Sequence, residues 1–358
     1  METRIRERLR HLAEDAPTAG AMPPEVRRRA RRRIGFTLVV GTVAVAAAAV
    51  GVSEGLRLAA RRATRPAQQP EASAFERARG WIAIGGAGIV AVDPSDPSNR
   101  VVLTRRPDTF DRPVAWSPDG SMLLFLSNAI YRRELEEPNL YVLHADGTVV
   151  RLTTEGGVSG GSFSPDGTEV VFARTTGIRA GEGAETLFVV PVVGGMPREI
   201  ETGGEGEAAS HPAWSPDGER VYYFGRFRQG ADDAPGLAWT NADGTGDGFL
   251  VGDLLLEVVD EGTGGLSYSP DGTRLAFAGT SEAGHSAVYV VRADGTGLTE
   301  MVGGDDVRYV WPTWSPDGSR IAFVAGTRVF TMRADGTDVR ELAGGPADGR
   351  IAWNPLAA

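Results

Sequence analysis

The side chains that could carry chemistry in this sequence are few and scattered. The four His residues are His11, His144, His211 and His285, and there is no Cys. Transition-metal centres need three or four such ligands brought together, so no metal site is expected. Gly157-Val158-Ser159-Gly160-Gly161 has the spacing of a nucleophile elbow. That elbow needs a strand–turn–helix setting with a partnering His and acid. Here it falls in a loop leading into a β-rich segment, and no catalytic residue is expected. Asp243-Gly244-Thr245-Gly246-Asp247-Gly248 sets oxygens at alternate positions, like part of a calcium loop. It lacks the later bidentate Glu, and an ordinary Asp-Gly turn explains it better. No cofactor is expected, calcium being the one ion this loop suits.

A second set of carboxylates is repeated rather than scattered. Asp119, Asp166, Asp217, Asp271 and Asp317 each follow an aromatic-Ser-Pro triplet and precede a Gly, as in Trp314-Ser315-Pro316-Asp317-Gly318. Pro presets φ near −65°, Asp bonds its own nearby backbone and Gly accepts a positive φ. These five Asp residues are therefore read as turn residues, with the aromatic as a wedge between neighbouring sheets. The spacing between successive Ser positions is 47, 51, 54 and 46 residues, with a worn sixth copy, Trp353-Asn354-Pro355, 39 residues further on. A period of about 40–50 residues with turn chemistry marks the blades of a propeller.

The elements around each turn follow one order. Pro312-Thr313-Trp314 reads as a first strand, Arg320 to Ala325 as a second, Arg328 to Met332 as a third and Val339 to Leu342 as a fourth. The same order fits 113–153, 160–202, 212–252 and 265–302. Residues 80–104 supply second, third and fourth strands without a first, and 349–353 supply a first alone. The two ends together complete a sixth blade, which removes a free sheet edge. The expected fold is all-β, a six-bladed propeller of four-stranded blades over 80–358.

The aromatic-Ser-Pro-Asp-Gly-x-x-Ile-Ala-Phe repeat resembles the WD-like β-propeller repeat of TolB-type proteins. The resemblance covers about residues 80–358 and implies a six-bladed interaction platform, usually exported and working in a cell-envelope complex. The chain departs from that family in lacking the preceding α/β domain and in carrying an apolar span instead, which puts a Tol-system role in doubt. The same repeat type occurs in propellers attached to serine peptidases of the prolyl oligopeptidase kind, but no hydrolase domain follows here.

Residues 1–33 hold ten Arg and five acids, with six Arg among residues 27–33, and read as a cytoplasmic helical segment. Ile34 to Val52 is a 19-residue run without a charge. At about 1.5 Å per residue it just spans a hydrocarbon core of about 30 Å. It is read as a single-pass signal anchor, with a cleaved signal peptide as the rival reading. The Arg bias places the N-terminus in the cytoplasm and the propeller outside it. Residues 53–79 form a linker or stalk. Residues 80–358 hold 21 Arg and 39 acids, a balance that argues against nucleic acid as partner.

The loops leading into each first strand share the face opposite the Ser-Pro-Asp-Gly turns. They carry Asp108, Asp111, Glu155, Glu205, Glu207, Glu257, Asp260, Glu261, Asp305, Asp306 and Asp348, with His211 at the start of a first strand. Converging acids would focus negative potential on the channel mouth, suiting a cationic peptide, a cationic protein segment or a divalent ion. An acidic protein also simply has acidic loops. The expected function is a membrane-anchored, extracytoplasmic binding module. The alternatives are a transmembrane sensor reporting through residues 1–33, and a hydrolase or lyase working in the channel.

Overall fold

The computed structural model describes residues 73–358 apart from 107, 132–133, 136, 177–183, 203–208, 230–231, 252–255, 258–264, 282–284, 344–349 and 358. The described residues belong to the compact unit Ala72–Ala358. The Arg-rich segment, the apolar run 34–52 and the linker up to residue 72 lie outside the described residues. Among the described residues no helix is long and apolar enough to cross a membrane.

Six antiparallel sheets make a six-bladed propeller. Its ring-closing blade contains β1 (Ile82–Ile84), β2 (Val90–Val92) and β3 (Arg100–Val102). The next is β4 (Thr109–Trp116), β5 (Met122–Tyr131), β7 (Asn139–His144) and β8 (Val149–Arg151), with β6 (Glu134–Leu135) folded back on β5. Then come β9 (Val158–Phe163) through β12 (Arg198–Ile200), and β13 (Ser210–Trp214) through β16 (Asp247–Val251). In the fifth sheet the inner edge is split: β17 (Leu256–Glu257) and β18 (Leu266–Tyr268) both pair with β19 (Arg274–Ser281), which continues to β20 (Ser286–Arg292) and β21 (Thr299–Gly304). The sixth is β22 (Tyr309–Trp314), β23 (Arg320–Ala325), β24 (Arg328–Arg333) and β25 (Arg340–Ala343).

The expected closure is present. β26 (Ile351–Trp353) pairs with β1 in the register Ile82↔Trp353, Ala83↔Ala352 and Ile84↔Ile351. Trp353 Nε1 donates to the Gly80 carbonyl at 2.7 Å and the Asn354 amide to the Trp81 carbonyl at 2.9 Å. Just before β1, helix α1 (Ala74–Arg77) is held by a capping box. Ser73 Oγ accepts from the Glu76 amide and Glu76 Oε2 from the Ser73 amide. This helix drops Phe75 edge-on against Trp116, 5.0 Å between ring centroids. So part of the stretch read as linker is a helical turn packed on the propeller.

The second strand of a blade is sandwiched between two neighbouring blades, so both its faces are apolar and it does not alternate. Leu123–Leu126, Val170–Ala173, Leu275–Ala278 and Ile321–Val324 are all buried. The aromatic before each turn fills the gap to the preceding blade, as expected. Trp116 packs with Ala83, Ala91 and Ala352 of the ring-closing blade, and Trp214 with Val171, Leu187 and Val189.

The turns use the expected chemistry. Each Ser hydroxyl is buried, donates to the Asp two residues on at 2.5–2.7 Å and accepts the amide five residues on at 2.9–3.0 Å. The same Asp oxygen accepts the amide two residues further along at 2.9–3.0 Å. The Gly residues sit at φ between 65° and 77°, which a side chain would strain.

Candidate functional site in the central channel

The first strands of all six blades line the channel, and each arrives there from its leading loop and leaves through its turn. Counting four residues back from each turn Ser, or from Asn354, gives Pro113, Gly160, His211, Gly265, Trp311 and Arg350. All of these except Pro113 line the same cavity and form one layer across the channel. Three large side chains fill it because two neighbours are Gly. A Cβ on Gly160 would lie 3.4 Å from Arg350 Nη1 and from His211 Cδ2, and one on Gly265 would lie 2.8 Å from Trp311 Cα.

The backbone is bent to build this layer. The strand register slips between Ser210 and Ala213 and between Val310 and Thr313, and the bulged residues His211 and Trp311 have φ of 51° and 55°. Left-handed backbone costs a non-glycine residue roughly 1–2 kcal/mol, and such outliers cluster at sites that use them. The Trp311 ring lies 5.4 Å from the His211 ring and 4.0 Å from the guanidinium carbon of Arg350. Arg350 Nη2 donates to the Ser159 carbonyl.

The electrostatics of the layer are unusual. His211 and Arg350 are 6% and 5% exposed. Burial, with Arg350 adding repulsion, pushes the imidazole down to about 3, so His211 is neutral at physiological pH. Neither His211 ring nitrogen has a hydrogen-bond partner, and neither does Ser159 Oγ. Burial and then Arg112 bring Arg350 down to about 9, with Glu185 opposing. It remains a cation at neutral pH. Among the described residues no carboxylate lies within ion-pair distance of it, the described ion pairs lying elsewhere.

Above this floor a cavity of about 280 Å³ runs to the turn face, where Pro118, Pro270, Pro316 and Pro355 line its mouth. Its walls are Trp116, Trp214, Tyr268, Trp314 and Trp353 with the small residues before them. The size is at the low end of small-molecule pockets, about 300–1,000 Å³. The concavity therefore lies at the turn end of the channel, whereas the acidic loops pointed to the opposite end.

The residues expected to bind ligand are dispersed. His211 is in the channel floor. Asp111 is fully buried and engaged within the protein, accepting from Ser127 Oγ at 2.6 Å, Thr109 Oγ1 at 3.0 Å and Thr104 Oγ1 at 3.3 Å, with Arg106 Nη1 3.8 Å away. Asp108 and Asp306 are exposed. Asp305 contacts His285 Nδ1 at 2.7 Å, and Glu155 pairs with Arg174 at 2.7 Å. Glu257 sits on β17. Glu205, Glu207, Asp260, Glu261 and Asp348 lie outside the described residues. The nucleophile-elbow sequence is on strand β9 rather than in a loop, with no strand–turn–helix around Ser159. Asp243 takes the amide and hydroxyl of Thr245 at 2.8 and 2.6 Å, an Asp-Gly turn. Among the described residues no group of three metal-ligating side chains converges. Trp311, Arg350 and the two Gly residues of the floor were missed by the motif search. Aligning the six copies on their turn Ser would have set them in one column.

Fold and channel together define a six-bladed β-propeller closed by its terminal strands, with a plugged axial cavity. No protein-family profile matches the sequence, and no curated protein matches it. Among solved structures the chain is similar to TolB from Acinetobacter baumannii, at 18% identity and TM-score 0.55, over 77% of this chain and 66% of that one. A protein described as TolB from Agrobacterium tumefaciens gives 22% identity and TM-score 0.55, over 77% and 94% of the two chains. A chain of a nidogen/laminin complex gives 12% identity and TM-score 0.58, over 78% and 99%. The likeness is one of fold, a TolB-like propeller, and the chain spans just under two thirds of the first of these proteins.

Proposed function

We propose that this propeller is a binding module for a protein or peptide segment, and that the segment enters the axial cavity from the turn face. The observation that supports this reading is the preformed cavity itself, walled by residues of all six blades and floored by buried, incompletely partnered polar groups. A rigid concavity with few polar groups at its base suits recognition, since little ordering cost is incurred on binding. Ser159 Oγ, the one hydroxyl in a nucleophile-like sequence, has no base within hydrogen-bond reach among the described residues, which favours binding over hydrolysis. The similar chain from the nidogen/laminin complex is a propeller solved within a protein assembly. Residues 34–52 anchor the module in the membrane, with the N-terminus cytoplasmic and the propeller outside.

A second reading is favoured by the exposure of Asp108, Asp305 and Asp306: a cationic partner docks on the opposite, acidic face. Site-specific photo-crosslinking from the full chain separates the two. Probes at Pro270, on the turn face, and at Asp108, on the other, are compared in cells. Partner capture from position 270 alone is the expected result. Capture from position 108 alone moves the docking face to the acidic loops, and capture from neither overturns the binding role.

A further inference from the structure

The channel floor combines features that each leave a buried polar group incomplete. Arg350 donates one hydrogen bond, to the Ser159 carbonyl, and its guanidinium carbon sits 4.0 Å over the Trp311 ring centroid. A stacked guanidinium keeps its N–H edge for planar, bidentate recognition of an acid. His211, neutral and unpartnered, offers one N–H donor and one acceptor. A buried cation with no carboxylate in direct contact is costly unless something supplies one. The strained φ of His211 and Trp311 holds both rings at the cavity base. Glu185 and Arg112 are the other charges acting on Arg350, and they oppose each other.

We propose that the floor of the channel is a carboxylate-binding subsite in which Arg350 is the anion-recognising residue and His211 the second donor. This inference rests on the reading of the cavity as a binding site and specifies its ligand. A single guanidinium with Glu185 nearby matches a monoanion better than a phosphate dianion. The carboxylate comes from a small organic acid or from the C-terminus of a peptide whose last residues fill the 280 Å³ above the floor. A peptide end is the source favoured by the aromatic walls, which offer side-chain contacts that a small acid leaves unused.

The test uses the full chain and intrinsic tryptophan fluorescence, titrated with N-acetyl-trialanine, its C-terminal amide, acetate, acetamide and inorganic phosphate. The free-acid peptide is expected to bind at least tenfold more tightly than its amide, with acetate competing and acetamide inert. Arg350→Gln is expected to abolish the difference between acid and amide. His211→Gln, which keeps a donor, is expected to retain it, and this variant serves if Arg350→Gln does not fold. Acetate binding without peptide binding supports the subsite and assigns it to a small acid. Equal binding of acid and amide overturns the carboxylate assignment while leaving the cavity a binding site. Tighter binding of phosphate than of acetate, or no binding by any probe at millimolar concentration, also overturns it.

Discussion

Arg350 sits over Trp311, its guanidinium carbon 4.0 Å from the ring centroid, although the two residues come from different blades. Neither is part of the repeat that builds the propeller. The scaffold residues recur from blade to blade, whereas these two occupy a position whose residue varies around the ring.

That position carries backbone strain, which gives an inverted substitution order. In a strand Gly is ordinarily less stable than Ala by roughly 0.5–1 kcal/mol. At His211, with φ of 51°, the order reverses. His211→Gly is expected to be more stable than His211→Ala by about 1 kcal/mol. Denaturant titration of the two variants measures it, and an Ala variant equal to or more stable than Gly contradicts the left-handed backbone.

The two Gly residues of the floor are not equivalent. A Cβ on Gly265 would lie 2.8 Å from the Trp311 backbone, and its φ is +127°, whereas one on Gly160 makes only ordinary contacts at 3.4 Å. Gly265→Ala is expected to cost about 3 kcal/mol. Gly160→Ala is expected to stay within about 1 kcal/mol of the parent. Equal midpoints for both in urea would refute the asymmetry.

The turn carboxylates link folding to acid. The Ser hydroxyl beside each of Asp166, Asp217, Asp271 and Asp317 holds its carboxyl below the usual value, and Asp271 is brought to about 2. At Asp119 burial pushes the other way but is outweighed by hydrogen bonds from Ser117 and Ser121. Folded values below unfolded ones mean that this stabilisation is complete above the unfolded value, 3.8, and is lost as pH falls through the folded one. The melting temperature is expected to fall steeply below about pH 4. Replacing Asp271 by Asn is expected to lower it at pH 7 and make its acid decline shallower.

His285 works in the opposite sense. Its ring nitrogens contact Asp305 at 2.7 Å and Glu300 at 3.2 Å, and these hydrogen bonds raise it above 6.5. A raised folded value contributes stability that is full below the unfolded value and is lost as pH rises through the folded one. An NMR titration is expected to give a midpoint above 6.5, and Asp305→Asn to move it down. A midpoint unchanged by that variant would contradict the pairing.

The seam between the terminal strands is expected to be the fold's most sensitive point. Trp353 is 8% exposed and bonds Gly80 through its indole. Trp353→Ala is expected to cost about 3–5 kcal/mol in chemical denaturation.

The repeat made the blades legible because turn chemistry is local. Ser-Pro-Asp-Gly defines its hairpin whatever surrounds it, so β23 spans Arg320–Ala325 as expected and the six-blade count follows. Strand β9 begins at Val158, two residues before the blade start at Gly160 expected from the repeat, and its Gly161 is there because a Cβ would lie 2.7 Å from the Val171 carbonyl. Helix α1 has four residues, too few to show a period. The channel floor was illegible for a different reason. Its members are single residues from five blades, and nothing in the local sequence of Trp311 or Arg350 announces that they meet. The acids of the leading loops were conspicuous in sequence, but Asp111 spends its charge on Ser127, Thr109 and Thr104.

The ring closes through a hydrogen bond between residues 273 positions apart. A chain made from its N-terminus therefore carries β1 with an unpaired edge until β26 has been made. Contacts of such long sequence separation also form slowly. Arg350 immediately precedes β26, so the cation of the channel floor arrives with the strand that seals the ring. Assembly of the channel floor and pairing of the ring-closing strand are thus one event. A product ending before Arg350 would lack both the closed ring and the cation of the floor.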